Sequence, residues 1–548
     1  MKVLSRSETA QVRYTIRKLE MEVFSEARRA LERIRDAGAQ KRTDAASIRD
    51  EQDKVLNDVK IALGEKSMAS LQALARADAV LANRRTTRAS MWWITFLMRR
   101  LLYCLGLSAP IRTVQHVKPA KIVSLDAATG EKRTTTLDAI LNECPSLHGR
   151  DAWYTPTAWL SSGHLATIFC TVSKFTYDKI HYTREHIRVP DGGTIAIDFT
   201  PAITPEEPID DRPILVACHG LTGGSHESYV RNILAVVTKP KAQGGLGWRG
   251  AVINSRGCAN TKVTSPHLYN GGVTNDIRSS LAFMSHFAPN APLYGIGFSL
   301  GANQICKYAG EEREASALKA VISLGTPFDF VKGNVALNSS WLRRIYSVAM
   351  GANLKRLVKR HSDVFEKHPA IDWDALYSNP KTTLFEFDSL VTAPLSGFPT
   401  AIAYYRWASA SNTIRDIKVP FLGISALDDP IVDSSGIPFE AAKDNEWLTF
   451  AVTRHGGHLG WFSGLFRPRR WVVKPVVEWL SAVHAADPAP RQSRATLPAR
   501  QGPPQIGDDM VLLKGVDNVG FARVGEEEHD AFGNEVVDGA QEALTQGL

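Results

Sequence analysis

The chain has 548 residues, 44% of them hydrophobic and 22% charged, a composition that supports a real folded core. The length suggests about three or four domains. The formal net charge of +8 suits an anionic surface, yet no zinc-finger spacing, RNA-binding signature or basic-aromatic repeat accompanies it, which argues against a nucleic-acid partner.

The N-terminus, MKVLSRSETAQVRYT, holds no apolar stretch long enough for a signal peptide. The cysteines Cys104, Cys144, Cys170, Cys218, Cys258 and Cys306 form no C-x-x-C pair. In a chain this long they read as free thiols of a reducing compartment.

Residues 8–84 contain no proline and are rich in Ala, Leu, Glu, Arg and Lys. Leu19, Val23, Ala27, Leu31 and Ile34 form one stripe at helical spacing, so two or three long amphipathic helices are expected over a helical extension, residues 1–90. A short hairpin packed on itself or on the main domain ranks ahead of a partner-binding coiled coil, because the heptad is not sustained. Any protein partner of these helices is left unknown.

Residues 91–107, MWWITFLMRRLLYCLGL, are the most apolar run. A spanning helix needs about 20 apolar residues, and a central Arg costs roughly 2.5–3.5 kcal/mol. Arg99 and Arg100 sit mid-run. An interfacial helix over residues 91–110, with Trp92 and Trp93 at the headgroups and the arginines snorkelling, ranks first. A core-covering helix ranks second and a true span third.

From about residue 180, β-branched runs alternate with helical stretches. EHIRVPDGGTIAIDF (185–199) reads as a hairpin, followed by strands in ILVACHG (214–220), GAVINSRG (250–257), PLYGIGFS (292–299), KAVISLG (319–325), PFLGISALDD (420–429) and LTFAVTRHGG (448–457). This alternation implies an α/β domain over 111–485, with a mostly parallel sheet covered by helices on both faces. Between Gly325 and Pro420 no strand is expected. WLRRIYSVAMGANLKRLVKRH (341–361) is helical in pattern, so residues 326–400 read as a helical lid inserted over the strand ends. The remainder, 486–548, begins DPAPRQSRATLPARQGPPQ and reads as a largely disordered tail. Within it VLLKGVDNVGFARV reads as a minor element to which no function is assigned.

The strongest chemical signal is Gly297-Phe298-Ser299-Leu300-Gly301, a G-x-S-x-G pentapeptide between an apolar strand and the helix-compatible ANQICKYAGEE. A strand–sharp turn–helix unit exposes the serine hydroxyl at the sheet edge, and the glycines avoid clashes with neighbouring strand and helix. Ser299 is the candidate nucleophile. SALDDPIVD (425–433) offers Asp428, Asp429 and Asp433, and RHGGHLGWF (454–462) offers His455 and His458, in the chain order Ser, Asp, His. A serine hydroxyl needs a neutral imidazole to take its proton, and the imidazole needs a buried carboxylate to hold its tautomer. Asp429 and His458 are assigned these roles. Asp428 is expected in a supporting or turn role, and His455 on the loop surface. HGLTGG (219–224) is expected to supply one oxyanion donor, the backbone N–H of Leu221, with Leu300 N–H the second. HGLTGG lacks the G-K-[ST] ending of a phosphate loop. HGGH has the wrong phase for one helix face and no ligand cluster beside it, so neither metal nor cofactor is expected.

The motifs HGLTGGSHESYV, NSRGC, GFSLGAN, ALDDPIV and HGGHLGWF stand together in order, with WLSSGHLATI (159–168), PDGGTIAIDF (190–199) and FEFDSLVTAPLSGFPTAIAYYRWAS (385–409) outside the triad. As a set they resemble the α/β-hydrolase superfamily, in particular the AB hydrolase 4 family of bacterial YheT-type hydrolases, plant EMB8-like proteins, animal ABHD1/2/3 lipases and yeast medium-chain ester synthases. The resemblance covers about residues 150–482. It implies the α/β-hydrolase fold, the triad above, and action on carboxylic esters of medium-chain or acylglycerol type. Animal members are often anchored by an N-terminal apolar segment, which supports membrane contact by residues 91–107. The expectation is therefore a cofactor-free, membrane-associated esterase or acylglycerol lipase acting on a lipid or small ester. An acyltransferase using the same acyl-enzyme, and an inactive helical scaffold, are the rivals.

Overall fold

The computed structural model describes residues 108–125, 131–173, 178–202, 210–366, 368–464, 467–491, 509–513 and 515–524. The helices expected within 8–84, the apolar run 91–107 and most of the tail lie outside these residues.

Eleven strands form the main sheet: β1 (Arg112–Gln115), β2 (Thr183–Arg188), β3 (Thr194–Thr200), β4 (Ile214–Cys218), β5 (Arg249–Asn254), β6 (Leu293–Phe298), β7 (Leu318–Leu324), β8 (Phe421–Ala426), β9 (Leu448–Thr453), β10 (Val511–Leu512) and β11 (Gly520–Arg523). Their spatial order is β10-β11-β2-β3-β5-β4-β6-β7-β8-β9-β1. The six strands from β5 to β9 in that order are parallel, and antiparallel strands extend both edges. The six are buried throughout, as a sheet covered on both faces requires.

The covering helices include α1 (Gly163–Val172), α2 (Ser228–Val237), α3 (Asn275–Phe287), α4 (Leu300–Glu312), α5 (Phe330–Leu337), α6 (Trp341–Arg360), α7 (Ala401–Ala408) and α8 (Val473–Ala486). Strand alternation divides the core in two. Ile214, Val216 and Cys218 of β4 join the cluster that holds Leu281 of α3 and Ile305 of α4. Leu215 and Ala217 join the opposite cluster, with Ile233 of α2 and Trp479 of α8.

β4 lies between β5 and β6, so the connections leaving β4 and β6 diverge to opposite sides. In open α/β sheets the crevice beyond the strand ends at such a switch point is where ligands bind. Both HGLTGG and the Ser299 turn sit there. Between Leu324 and Phe421 the chain is helical, without a strand, and the 20-residue α6 is its longest piece. Ser340 starts α6 by accepting a hydrogen bond from Arg343 N–H at 3.2 Å.

The C-terminal segment contributes to the sheet in the part read as a minor element. Within 486–548, β10 and β11 form a hairpin that pairs with β2 and extends the sheet by two strands. Val519 and Phe521 are buried there, and Phe521 stacks edge-on against Phe283 of α3 at 5.6 Å. Arg523 forms a two-point ion pair with Glu185 of β2. The apolar residues of NVGFARV outweigh the polar, Pro-rich composition of the sequence around them.

Candidate active site

Ser299 follows β6 directly, with φ 50° and ψ −115°. That positive φ is strained for a residue with a Cβ. The flanking glycines make the turn possible by close approach: a Cβ on Gly297 would lie 2.4 Å from Ala302 Cα, and one on Gly301 2.3 Å from the Cys218 carbonyl oxygen. The hydroxyl is thereby lifted above the N-terminal end of α4.

An unbroken chain of hydrogen bonds starts from this hydroxyl. His458 Nε2 lies 2.8 Å from Ser299 Oγ, and His458 Nδ1 lies 2.8 Å from Asp429 Oδ2. Asp429 Oδ1 accepts from Ile431 N–H at 2.8 Å and Val432 N–H at 2.9 Å. Asp429 is 3% exposed and His458 7% exposed, so water does not compete for the carboxylate. With Nδ1–H directed to Asp429, Nε2 accepts a hydrogen bond from the Ser299 hydroxyl.

The neighbouring candidates are sorted by the same geometry. Asp428 Oδ1 accepts the N–H of Gly457 at 2.9 Å and so ties down the loop that carries His458. His455 differs from expectation: it is only partly exposed, with Nδ1 3.5 Å from Asp428 Oδ2. Asp433 accepts from Ser435 at the surface.

Leu221 sits in the loop after β4, and Leu300 is the first residue of α4. The loop abuts the nucleophile, since a Cβ on Gly220 would come 3.5 Å from Ser299 Cβ. Two buried tyrosines clamp it. Tyr229 Oη accepts Gly220 N–H at 3.1 Å, and Tyr269 Oη accepts Thr222 N–H at 2.9 Å. The N–H between them, that of Leu221, and the N–H of Leu300 have no acceptor among the described residues. Leu300 N–H also lies at the positive end of the α4 dipole.

A buried polar brace stands behind the loop. Asp198 of β3 accepts from Arg184, Ser225 and Asn254, and the Arg184 charge and these donors hold its carboxyl below the usual range despite burial. Ser255 N–H donates to His219 Nε2 at 3.0 Å, which places the ring proton on Nδ1, 2.7 Å from the Gly220 carbonyl. Burial pushes His219 down to about 4, so the ring is neutral. Glu227 moves the other way: burial pushes it up to about 8. His226 Nε2 lies 3.7 Å from its Oε1.

Sequence reasoning assigned no role to these braces. Asp198, Asn254 and Tyr229 lie in PDGGTIAIDF, NSRGC and HGLTGGSHESYV, so the motifs contained them without showing what they do. WLSSGHLATI is explained similarly: Thr167 Oγ1 accepts the N–H of His458 at 2.8 Å. Gly163 passes so near Asp428 that a Cβ would fall 1.8 Å from its carbonyl oxygen. Tyr269 carried no signal.

Above the serine, Leu337 of α5 and Tyr346 and Met350 of α6 cluster with Ile431, Val432 and Leu221. The cluster thus joins the residues that follow Asp429 to the loop that abuts Ser299. A separate cavity of about 460 Å³ lies to the side, lined by Cys218, Asn254, Tyr269 and Gln304 among others but not by Ser299. Among the described residues no group of three or more His, Cys, Asp or Glu converges to hold a metal ion.

Residues 213–465 match the model of the alpha/beta hydrolase fold family. The chain is 33% identical over 406 residues to a monoacylglycerol lipase of Saccharomyces cerevisiae, covering 67% of this chain and 88% of the relative. It is 31% identical to the embryogenesis-associated protein EMB8 of Picea glauca, covering 60% of this chain and 72% of the relative. It is 30% identical to a medium-chain fatty acid ethyl ester synthase/esterase of Saccharomyces cerevisiae, over 50% of this chain and 62% of the relative.

Proposed function

This chain belongs to the α/β-hydrolase family and is a serine ester hydrolase, and from that premise we propose that Ser299, Asp429 and His458 are its catalytic triad and that it cleaves acylglycerol or medium-chain esters. The observation that carries the triad is the hydrogen-bond chain from Asp429 Oδ1, held by two backbone donors, to Ser299 Oγ.

In this reading Ser299 Oγ attacks the acyl carbonyl carbon while its proton passes to His458 Nε2. The oxyanion that forms is bound by the N–H groups of Leu221 and Leu300, each such donor being worth about 3–4 kcal/mol in the transition state. Collapse expels the alcohol, which leaves with the proton from His458. Water then attacks the acyl-enzyme, gives its proton to His458, and the fatty acid departs as Ser299 recovers a proton. No metal or cofactor enters. The apolar cluster of Leu337, Tyr346 and Met350 supports an acyl chain in preference to a polar substituent, and the name of the yeast lipase supports a monoacylglycerol.

The test is fluorophosphonate labelling combined with hydrolysis of monoacylglycerols of increasing chain length. Labelling at Ser299, lost in Ser299→Ala, is expected. A wild-type chain that neither labels nor hydrolyses would overturn the reading in favour of an inactive scaffold.

A second reading is supported by the likeness to the ethyl ester synthase/esterase. An alcohol could replace water in attacking the acyl-enzyme if the site excludes water. Ethyl ester formed from a supplied acyl donor and ethanol, in excess of free acid, would favour it. Membrane association through residues 91–107 belongs to the same proposal. Among the described residues no helix is long and apolar enough to cross a membrane, and the apolar run lies outside them. Deleting 91–107 is expected to reduce liposome binding and spare hydrolysis of a short soluble ester. Loss of folding instead would make the segment part of the core.

A further inference from the structure

Helix α1, GHLATIFCTV, contains no Asp, Glu, Lys or Arg. Its inner residues, Gly163, Ala166 and Thr167, face the loops of Asp428 and His458. Its outer face is also apolar: Leu165, Ile168 and Val172, at i, i+3 and i+7, are 50%, 46% and 56% exposed. Trp159, 46% exposed, extends that face by stacking edge-on against Phe169 at 5.0 Å. An ordinary surface helix presents charge to water on this side.

The first turns of α6 repeat the pattern. Trp341 and Ile345, one turn apart, are 76% and 52% exposed, while Tyr346 and Met350 point inward to the apolar cluster above Ser299. His164 of α1 joins the two helices, its Nδ1 3.0 Å from Tyr346 Oη and its ring stacked on the tyrosine at 5.7 Å. The exposed apolar surface therefore borders both sides of the site. Contiguous patches of this kind mark interaction surfaces.

We propose that α1 and the start of α6 form a membrane-docking face on the catalytic unit itself, which sets the mouth of the Ser299 site against an anionic bilayer. The inference rests on the lipid-ester reading of that site. Two observations select a lipid surface over a protein partner. First, the apolar face is flanked by cations. Arg343 and Arg344 stand between Trp341 and Ile345, and neither has a carboxylate partner among the described residues. Arg467 is exposed on the hairpin loop that Thr157 holds through its bond to the Gly464 carbonyl at 2.7 Å. Tryptophan, aliphatic residues and arginine together are the composition of an interfacial face. Second, the described chain that follows residues 91–107 in sequence begins next to α1. Ala109–Pro110 pair with Trp153–Tyr154, a few residues before Trp159, and Tyr154 Oη donates to the carbonyl of Phe462, whose ring stacks on Phe169. The described residues that directly follow the most apolar run in sequence are thus held beside the exposed face of α1.

The test uses the full chain carrying Ile345→Cys, labelled with a nitrobenzoxadiazole fluorophore and compared with the labelled parent. Added to phosphatidylcholine vesicles containing phosphatidylserine, the label should shift to the blue and be quenched by nitroxide-bearing lipids, less so without phosphatidylserine. In Leu165→Glu/Ile168→Glu the dissociation constant for the same vesicles should rise about tenfold, the scale for losing a partly buried apolar anchor. Hydrolysis of a short soluble ester should be unchanged in both variants, because neither touches the triad. An unshifted label on a chain that sediments with vesicles overturns the docking face, as does failure to bind vesicles. A shift that depends on protein concentration without lipid overturns it in favour of self-association. Loss of soluble-ester hydrolysis in the parent chain instead defeats the hydrolase assignment, a separate result.

Discussion

Behind Ser299 the molecule buries charge, and around the mouth of the site it exposes apolar surface. The loop 219–229, which carries the buried His219 and Glu227, rests on Asp198 and its partner Arg184. The outer faces of α1 and α6 carry Leu165, Ile168, Trp341 and Ile345 in the open. Each region departs from the usual partition of polar and apolar groups, for opposite reasons. A loop proposed to present Leu221 N–H in one orientation is held by directional bonds, and directional bonds are firm where water cannot compete. A surface that meets apolar substrate needs no direction, only area. In the proposed reading, precision lies behind Ser299 and adhesion in front of it.

The comparison breaks most sharply at the triad. Ser299→Ala should lower turnover of a p-nitrophenyl ester on the order of 10⁶-fold with the fold intact by circular dichroism, by analogy with a serine protease that has lost its nucleophile. His458→Ala should match it, and His455→Ala should not. Asp429→Asn should cost about 10⁴-fold, since the wrong imidazole tautomer then forms. Asp428→Asn should cost far less, because Asp428 bonds the Gly457 N–H and leaves the His458 ring alone. A larger loss in Asp428→Asn than in Asp429→Asn would reverse the assignment of these neighbours.

The buried brace predicts a middle effect. Tyr229→Phe and Tyr269→Phe free the N–H groups on either side of Leu221 and should lower kcat about 10–100-fold with KM little changed, the scale for misplacing an oxyanion donor. A rise in KM alone would mean that the tyrosines shape the pocket instead of the donor.

A smaller effect concerns pH. Glu227 is raised in the fold to about 8 from an ordinary value near 4.5. The unfolded chain therefore loses its proton first, and the stabilising contribution of Glu227, complete below about 4.5, disappears as pH rises through 8. Glu227→Gln should gain Tm relative to wild type across that interval. His219 and His226, both lowered to about 4 by burial, act in the other direction: their contribution is complete above about 6.5 and is lost as pH falls toward 4. A Tm difference between wild type and Glu227→Gln that stays flat from pH 5 to 8 would remove Glu227 from this account.

The smallest effect is expected at the mouth. Leu165→Glu should change stability by no more than about 0.5 kcal/mol, the ordinary range for surface substitutions. Chemical denaturation checks this, and a larger loss would mean that α1 packs on something its exposed face does not reveal.

By itself the sequence determined the α/β-hydrolase architecture, and it marked Ser299, Asp429 and His458 as candidates in the order the fold uses. That information is local. Strand–turn–helix units, glycine positions and alternating apolar runs are written in consecutive residues. The pairing of Val519 and Phe521 with the sheet edge was not legible, because a short apolar run within a Pro-rich tail has no local partner. Only the tertiary structure distinguishes the surroundings of Asp428 and Asp429. Adjacent carboxylates look alike in sequence, and only the loop geometry turns one to the imidazole of His458 and the other to a backbone N–H. It alone joined Tyr229 and Tyr269 to the two sides of Leu221, from positions 40 residues apart. It also turned Leu165, Ile168 and Val172 outward, since helical periodicity locates an apolar face but cannot say which face the rest of the molecule leaves uncovered.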